Sequence, residues 1–315
     1  MNEYDTKGRL LAHAFGMMEE LTLSELTLRP LADRAGVSVA TINHHFGNKQ
    51  AVLGALVEAS IRREVDFAAC WTERLLRFHS GGHAASAYLV CAMFENWVDA
   101  NRQPLLVLLD LLRASDLVED GAAQLSAWLE CMGPLWSLAI FASPDFPEVA
   151  FGFVVDEAGF ALGARPSACF SALRHLCLET LVNYHAHGRA APRNDQHIFI
   201  RLVEELRPQS IPESFLQGSK RRRLIVERAA EMLTAPRHET ITHRSVAALC
   251  GVSPATIVYQ FGSTEDLIAA GLYTLIEKFR RGTDGLGPTL PTPLADLVRA
   301  TGLIAVAAAR MPALV

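Results

Sequence analysis

One segment of this chain occurs twice, and that repeat constrains the fold more than any other feature. The residues from Gly36 to Gly47 return without a gap as Gly251 to Gly262. In both copies a glycine precedes an apolar residue and a serine, and an isoleucine and a phenylalanine follow one helical turn apart. The repeated positions are Val37/Val252, Ser38/Ser253, Thr41/Thr256, Ile42/Ile257 and Phe46/Phe261. The alternative to a duplicated local structure is two unrelated short buried helices.

Each repeated position has a physical reason in a helix-turn-helix. Gly36 follows an alanine-rich helical pattern, at a position where positive φ ends a helix. Ser38 can cap the next helix, and Val37 and Ile42 have the spacing of a hydrophobic staple. The second helix would then point small or polar residues outward, as a helix that enters a DNA groove requires. These outward residues are Val39, Ala40, Asn43 and His44.

These residues resemble the DNA-binding head of the TetR/AcrR-like (tetracycline-repressor) family of bacterial regulators. The resemblance covers residues 27–53 closely and residues 242–267 again. In the first copy it rests on Thr27, Leu31, Ala32, Ala35 to Ser38, Thr41, Ile42, His45, Phe46, Asn48, Lys49 and Leu53. Two family positions differ. The tyrosine before the final pair is Asn43 in the first copy and Val258 in the second, and the lysine that opens the fourth helix is Thr264 in the second.

The resemblance implies an all-α chain with four parts. We expect a helix-turn-helix DNA-binding domain at 1–66 and a helical ligand-binding and dimerisation bundle at 67–208. A second helix-turn-helix domain is expected at 217–283, and residues 284–315 would begin an incomplete second regulatory bundle. Either the sequence is a fragment or this second unit has degenerated. Residues 208–219 and 283–293 are rich in Pro, Gly and Ser, which predicts linkers.

Two groups of residues are predicted to contact DNA. The first head contributes Thr27, Arg29, Ser38, Val39, Ala40, Thr41, Asn43, His44, His45 and Lys49. The second head contributes Arg221, Arg222, Thr242, Arg244, Ser253, Pro254, Ala255, Thr256, Val258, Tyr259 and Gln260. Basic side chains and helix N-termini would hold phosphates, and the recognition helices would reach base edges. Ordinary solvated side chains are the alternative for Lys49 and for the basic run at 220–223.

Apolar periodicity and helix breakers place the helices. We predict helices at 7–20, 49–78, 84–101, 104–114, 117–132, 134–142, 147–163, 167–187 and 195–207, with a helix beginning at Thr27 that this residue caps. By the resemblance, 167–187 and 195–207 would pair with their twins in a homodimer; burial within one subunit is the alternative. A small apolar effector would bind among Met93, Phe94, Trp97, Trp128, Trp136, Phe141 and His175. Plain core packing is the alternative for each of these.

Composition excludes several classes of protein. The net charge is −5, but the acidic excess lies in residues 67–216, whereas 217–281 carries more basic than acidic side chains. The six cysteines are scattered without a CxxC pair, which predicts reduced core thiols rather than a redox or metal site. We find no membrane span, signal peptide, catalytic motif or metal-binding spacing, so no cofactor is expected.

The favoured interpretation is a ligand-responsive transcriptional regulator, of repressor type by the resemblance. Its partner would be a double-stranded DNA operator, and its expected location is the cytoplasm of a bacterium, at the nucleoid. Different outward residues in the two heads would favour an asymmetric operator. The alternative is a protein-interaction module in which one or both heads no longer bind DNA.

Overall fold

The computed structural model describes residues 3–80, 86–113, 115–163, 168–187, 198, 201, 218–234, 241–264, 266–271 and 273–274. All regular structure in these ranges is helical, which confirms the predicted all-α class. The helices are α1 (Glu3–Met17), α2 (Leu28–Ala35), α3 (Val39–Phe46), α4 (Lys49–Ser80), α5 (Ala87–Ala100), α6 (Arg102–Arg113), α7 (Gly121–Phe141), α8 (Pro147–Gly163), α9 (Ala168–His187), α10 (Lys220–Thr234), α11 (His243–Cys250) and α12 (Pro254–Phe261). A short 3-10 turn at Ser115–Leu117 precedes α7.

One predicted helix break was wrong. The helix breakers predict that one helix ends at residue 132 and another begins at Pro134, but α7 is a single helix with Pro134 in its interior. An interior proline costs about 3 kcal/mol. The residues around it, Met132, Leu135 and Trp136, are fully buried, so tertiary packing of this helix outweighs the local preference. The predicted start at 117 was also wrong, since that residue belongs to the 3-10 turn.

Several other helix ends moved by a few residues. The first helix begins earlier than predicted and ends at Met17, and α6 begins at Arg102, so that Pro104 lies in its first turn. A proline is tolerated there because the first amides of a helix have no intrahelical acceptor. The predicted helix at 195–207 lies outside the described residues except for 198 and 201. The 208–217 part of the first linker and the segments 283–293 and 284–315 also lie outside them.

The described residues form two hydrophobic cores. The first joins the N-terminal head to the bundle, with buried residues from α1 to α9 such as Ile42 and Trp97. The second contains the buried residues of α10, α11 and α12, with Ile225, Val246 and Ile257 at its centre. Helix α4 runs unbroken through residue 66, so the first head and the bundle share one helix.

Polar contacts also connect the first head to the bundle. The amide N–H of Leu23, between α1 and α2, donates to Asp110 Oδ2 on α6 at 2.8 Å, and Asp110 is 4% exposed. Arg102 Nε donates to Glu19 Oε2 at 3.0 Å. A buried hydrogen bond to a carboxylate holds its two elements more firmly than a solvated one. The first head is therefore fixed on the bundle at α4 and at α6.

Candidate nucleic-acid interface

The first helix-turn-helix has the predicted local geometry. Gly36 ends α2 with φ 66°, and its amide donates back to the α2 carbonyls. Ser38 Oγ accepts the Thr41 N–H at 3.1 Å and so caps α3. Ile42 is completely buried, and Val37 packs against the same core. The glycine, the cap and the staple therefore fix the direction in which α3 leaves the head.

The outward face of α3 is exposed to solvent. Val39, Ala40, Asn43 and His44 are all exposed, as predicted. His45 is half-buried, and its ring meets that of His44 edge-on, with centroids 5.3 Å apart. The free surface of this helix is therefore small and polar, with two imidazoles toward its C-terminal end. Ser38 is exposed as well, while Thr41 is half-buried with its hydroxyl 2.9 Å from Ser38 Oγ.

The predicted side-chain cap at Thr27 was wrong. Thr27 has the extended backbone of an N-cap residue, but its side chain accepts no capping hydrogen bond. The physical reason is Pro30, which occupies the third helical position, where an N-cap oxygen finds a donor. Proline has no N–H, so that donor does not exist. Thr27 and Arg29 are both exposed at this helix start.

Lys49 lies at the N-terminus of α4 as predicted, but its ammonium group is engaged. Its Nζ donates to the carbonyl oxygen of Ser24 at 3.0 Å. The cap of α4 is Asn48, whose Oδ1 accepts the Ala51 N–H at 2.9 Å. A phosphate at this helix end would therefore compete with Ser24 for the lysine, while the first amides of α4 offer further donors.

The second head repeats the backbone of the first. Gly251 ends α11 with φ 64°, and Ser253 Oγ accepts the Thr256 N–H at 3.3 Å. Thr242 and Ser245 form a reciprocal capping box on α11. A further capping box follows α12, since Ser263 N–H donates to Asp266 Oδ2 and Asp266 N–H donates to Ser263 Oγ.

The outer face of α12 is more apolar than that of α3. Tyr259 is 91% exposed and Val258 45%, and Pro254 and Ala255 are exposed beside them. Ser253 and Thr242 are exposed, and Thr256 is half-buried. Arg221 and Arg244 are exposed and free to approach a phosphate backbone. The second head therefore combines an apolar outer face of α12 with flanking cations.

Two residues of the second head that are predicted to contact DNA, Arg222 and Gln260, are half-buried in the structure. Arg222 is half-buried, with its guanidinium 4.2 Å from the centroid of the Phe261 ring and a hydrogen bond to the Gln260 carbonyl oxygen. Gln260 is half-buried too, and its Oε1 faces inward without a hydrogen-bond partner among the described residues. Arg222 therefore stabilises the end of α12 instead of projecting toward solvent.

The predicted effector residues lie in the bundle core. Met93, Phe94, Trp97, Trp128 and Trp136 are at most 1% exposed. Phe141 is half-buried and packs on Phe146, with ring centroids 5.5 Å apart, and His175 is half-buried on α9. The structure thus brings the tryptophans of α5 and α7 together, and leaves Phe141 and His175 outside the fully buried group.

A buried carboxylate lies among these rings and was not predicted from the sequence. Glu64 on α4 is 0% exposed and accepts hydrogen bonds from the indole N–H groups of Trp97 and Trp128. Burial raises the pKa of this carboxyl to about 7, against the lowering effect of the two indole donors. The signal was available, because Val57, Ser60, Glu64 and Ala68 lie on one buried stripe at helical spacing.

A second polar group lies between α8 and α9 and was also missed. Burial and the neighbouring Glu157 raise the pKa of Asp156 to about 7, and burial raises that of Glu157. Arg174 is 9% exposed, with its guanidinium 4.7 Å from the Phe94 ring centroid and 3.8 Å from Glu95 Oε1. Asp156 and Glu157 belong to α8, and Arg174 lies where α9 meets α5.

The described ranges contain no group of three or more His, Cys, Asp or Glu side chains arranged to hold a metal ion. Within the same ranges, no helix is both apolar enough and long enough to cross a bilayer.

Comparison with known families assigns the first head. Residues 10–56 match the family model described as bacterial regulatory proteins, tetR family. The first head is a TetR-type DNA-binding domain. The match begins in α1, includes α2 and α3, and ends in α4, so it covers the whole helix-turn-helix described above. Comparisons with curated proteins and with solved structures gave no match. The TetR-type head supports a DNA-binding transcriptional regulator.

Proposed function

We propose that the chain is a ligand-responsive repressor in which both heads place a recognition helix in the major groove. The exposed outer face of α3 is the observation that carries this proposal. The helix packs on the head with its other side and presents Ala40, Asn43 and His44 to solvent. Small side chains allow close approach to the base edges, and polar ones supply donors and acceptors there. The helix N-termini and Arg29 would hold the phosphates.

The second head supports a different half-site. Its backbone matches that of the first, but Val258 and Tyr259 replace Asn43 and His44 on the outward face. An apolar face can contact thymine methyl groups, and Arg221 and Arg244 can neutralise phosphates. We therefore propose an operator with two unlike half-sites. An exposed apolar helix also fits a protein partner, and this observation favours the protein-interaction alternative for the second head.

Dimerisation through α9 is also part of the proposal. Its apolar stripe is only half-buried in the single chain, so a partner subunit would bury more apolar surface; the stripe consists of Phe170, Leu173, Cys177 and Leu181. The structure does not describe the side chain of Tyr184. The predicted partner helix at 195–207 also lies outside the described residues, apart from 198 and 201.

Effector response would act through the joint between head and bundle. An effector changes DNA affinity only if it binds one arrangement of the heads better than the other. Helix α4 and the Leu23–Asp110 hydrogen bond connect the effector core to the head, which supports such coupling.

Selection of bound DNA from a random duplex library by the full chain would test the proposal. We expect one enriched asymmetric site whose binding constant falls steeply with salt while its sequence preference remains. Tyr259→Ala should relax preference in one half-site only. Binding without sequence preference would contradict the regulator, and an unchanged site with Tyr259→Ala would favour a protein partner for the second head.

A further inference from the structure

Glu64 lies at the middle of α4, where three helices meet. Its Oε2 accepts Trp97 Nε1 of α5 at 2.9 Å and Trp128 Nε1 of α7 at 3.0 Å. Its Oε1 receives only the longer branch of the Trp97 hydrogen bond, at 3.1 Å. One carboxylate oxygen is thus well satisfied and the other is not.

None of the basic side chains that the structure describes compensates the charge of Glu64. Its two donors are neutral indoles, and no described lysine or arginine lies within ion-pair distance. A buried carboxylate without a cation is unfavourable, and an apolar residue of similar size would pack at lower cost. Stability therefore does not account for an acid at this position.

The surroundings of Glu64 are those that attract an organic cation. The rings of Trp97 and Trp136 lie 5.2 Å apart, and Phe94 lies 6.3 Å from Trp136. Tryptophan faces attract ammonium and other onium groups, more strongly where water is absent. In addition, Trp136 Nε1 is buried and has no acceptor among the described residues. The cluster offers one anion, several ring faces and one free donor.

We propose that Glu64 is the anionic anchor of an effector site for lipophilic organic cations, whose charged centre pairs with this carboxylate between Trp97, Trp128 and Trp136. The inference deepens the effector response proposed above and rests on it. An acceptor atom on the ligand would take the Trp136 N–H. A neutral ligand would leave Glu64 without a counter-charge, and an anion would be repelled by it.

The site must open before a ligand can enter. Glu64 and the three tryptophans are at most 1% exposed, so no water-sized space adjoins them in this conformation. Helix α7 carries Trp128 and Trp136, and Pro134 lies between them. Proline removes one backbone hydrogen bond, which makes this the position where α7 bends at least cost. A cation would therefore stabilise an arrangement with α7 displaced from α4.

Displacement at Glu64 can reach the DNA-binding head. Glu64 lies fifteen residues along α4 from Lys49, or about 22 Å at the rise of an α-helix. Helix α4 begins directly after α3 and packs against both α6 and α7. A cation bound at Glu64 would thus bias the same helix that positions the recognition helix.

Two ions of nearly the same size and opposite charge test the proposal on the full wild-type chain. Tetraphenylphosphonium and tetraphenylborate would be titrated while tryptophan fluorescence is recorded, with calorimetry as a second readout. We expect saturable binding of the phosphonium and at least tenfold weaker binding of the borate. Equal affinities, or no saturable binding of the phosphonium, would overturn the proposal without any variant.

The variant Glu64→Gln then tests whether the Glu64 carboxylate pairs with the phosphonium. Glu130→Gln is the matched control, because Glu130 is exposed on α7. We expect Glu64→Gln to weaken phosphonium binding at least tenfold and Glu130→Gln to leave it unchanged. Because the pKa of Glu64 is about 7, phosphonium affinity should rise between pH 6 and pH 8 in the wild type and stay level in Glu64→Gln. Wild-type affinity in Glu64→Gln would overturn the proposal.

Titration of the DNA-bound chain with the phosphonium and with the borate distinguishes the proposed cation site from the proposed ligand-responsive repressor. Phosphonium binding that depends on Glu64 while DNA stays bound would leave the cation site standing and contradict the ligand response. DNA release by both ions alike would support a response to ligands and overturn the role of Glu64.

Discussion

In the first head a lysine lies over the aromatic ring that ends α3, and in the second head an arginine lies over the aromatic ring that ends α12. Lys7 Nζ is 5.1 Å from the Phe46 ring centroid, and the Arg222 guanidinium carbon is 4.2 Å from that of Phe261. The two cations occupy equivalent positions of the sequence repeat. Lys7 and Arg222 have the same spacing along the chain as Gly36 and Gly251 (222 − 7 = 251 − 36).

The heads differ in what holds them. The first belongs to the same hydrophobic core as the bundle and is connected to it by α4 and by the Leu23–Asp110 hydrogen bond. The second has a core of its own, with Phe160 of α8 packed against it. The same local scaffold thus shares its core with the helical bundle in one case and has a separate core in the other.

Matched core truncations should show this difference most strongly. Ile42→Ala and Ile257→Ala remove equivalent, completely buried side chains. Each should lower the free energy of unfolding by about 2–5 kcal/mol. Hydrogen exchange should show faster exchange in head and bundle for Ile42→Ala, but only in 218–274 for Ile257→Ala. If both variants accelerated hydrogen exchange in the bundle equally, the proposed difference between the two heads would be contradicted.

The pH dependence of stability should also differ between the part of the chain built on the first core and the part built on the second core. Glu64 is buried in the first core, and the described part of the second core contains no fully buried carboxylate. Because folding raises the pKa of Glu64 from 4.5 to about 7, the folded state holds this proton more tightly than the unfolded state. The stabilisation is full below about pH 4.5 and is lost as pH rises toward 7.

Denaturant unfolding of the first unit at several pH values would measure the effect of Glu64. Over this pH range Glu64 should lower the free energy of unfolding by on the order of 3 kcal/mol, and this contribution should be absent in Glu64→Gln. Asp156 would still contribute in the same direction, since its pKa is also raised to about 7. Identical pH profiles for wild type and Glu64→Gln would contradict the assignment.

The smallest expected difference concerns the helix caps. Thr242→Ala removes a side chain that accepts the Ser245 N–H at 3.0 Å, and should cost about 1 kcal/mol of second-head stability. Thr27→Ala removes no capping hydrogen bond and should change stability by only a few tenths of that amount. Thermal unfolding of both variants would check this, and equal losses would show that Thr27 caps α2 after all.

Most of the scaffold of the heads could be predicted from sequence, because it depends on local chemistry. Gly36, Ser38 and Ile42 each have one role that spacing alone indicates. The capping error at Thr27 was avoidable, since Pro30 removes the required donor within the same turn. Pro134 in α7 was not, because its cost is offset by burial of residues that only the tertiary structure brings together.

The bundle core was harder to predict. The tryptophans were recognised as an apolar set, but Glu64 lies 33 and 64 positions from the two indoles that donate to it. No local pattern links such distant residues. The inward turn of Arg222 likewise depends on a contact with α12, 38 positions away.

The central claim is that the exposed face of α3 reads DNA, and one binding comparison tests it most directly. The full chain, Asn43→Ala and the control Glu130→Gln would be titrated with the selected operator and with a scrambled duplex at one salt concentration. Loss of a base contact costs about 1–3 kcal/mol. We therefore predict that Asn43→Ala lowers the preference for the operator about 5- to 150-fold, while Glu130→Gln leaves it unchanged. A wild-type preference in Asn43→Ala would contradict the account.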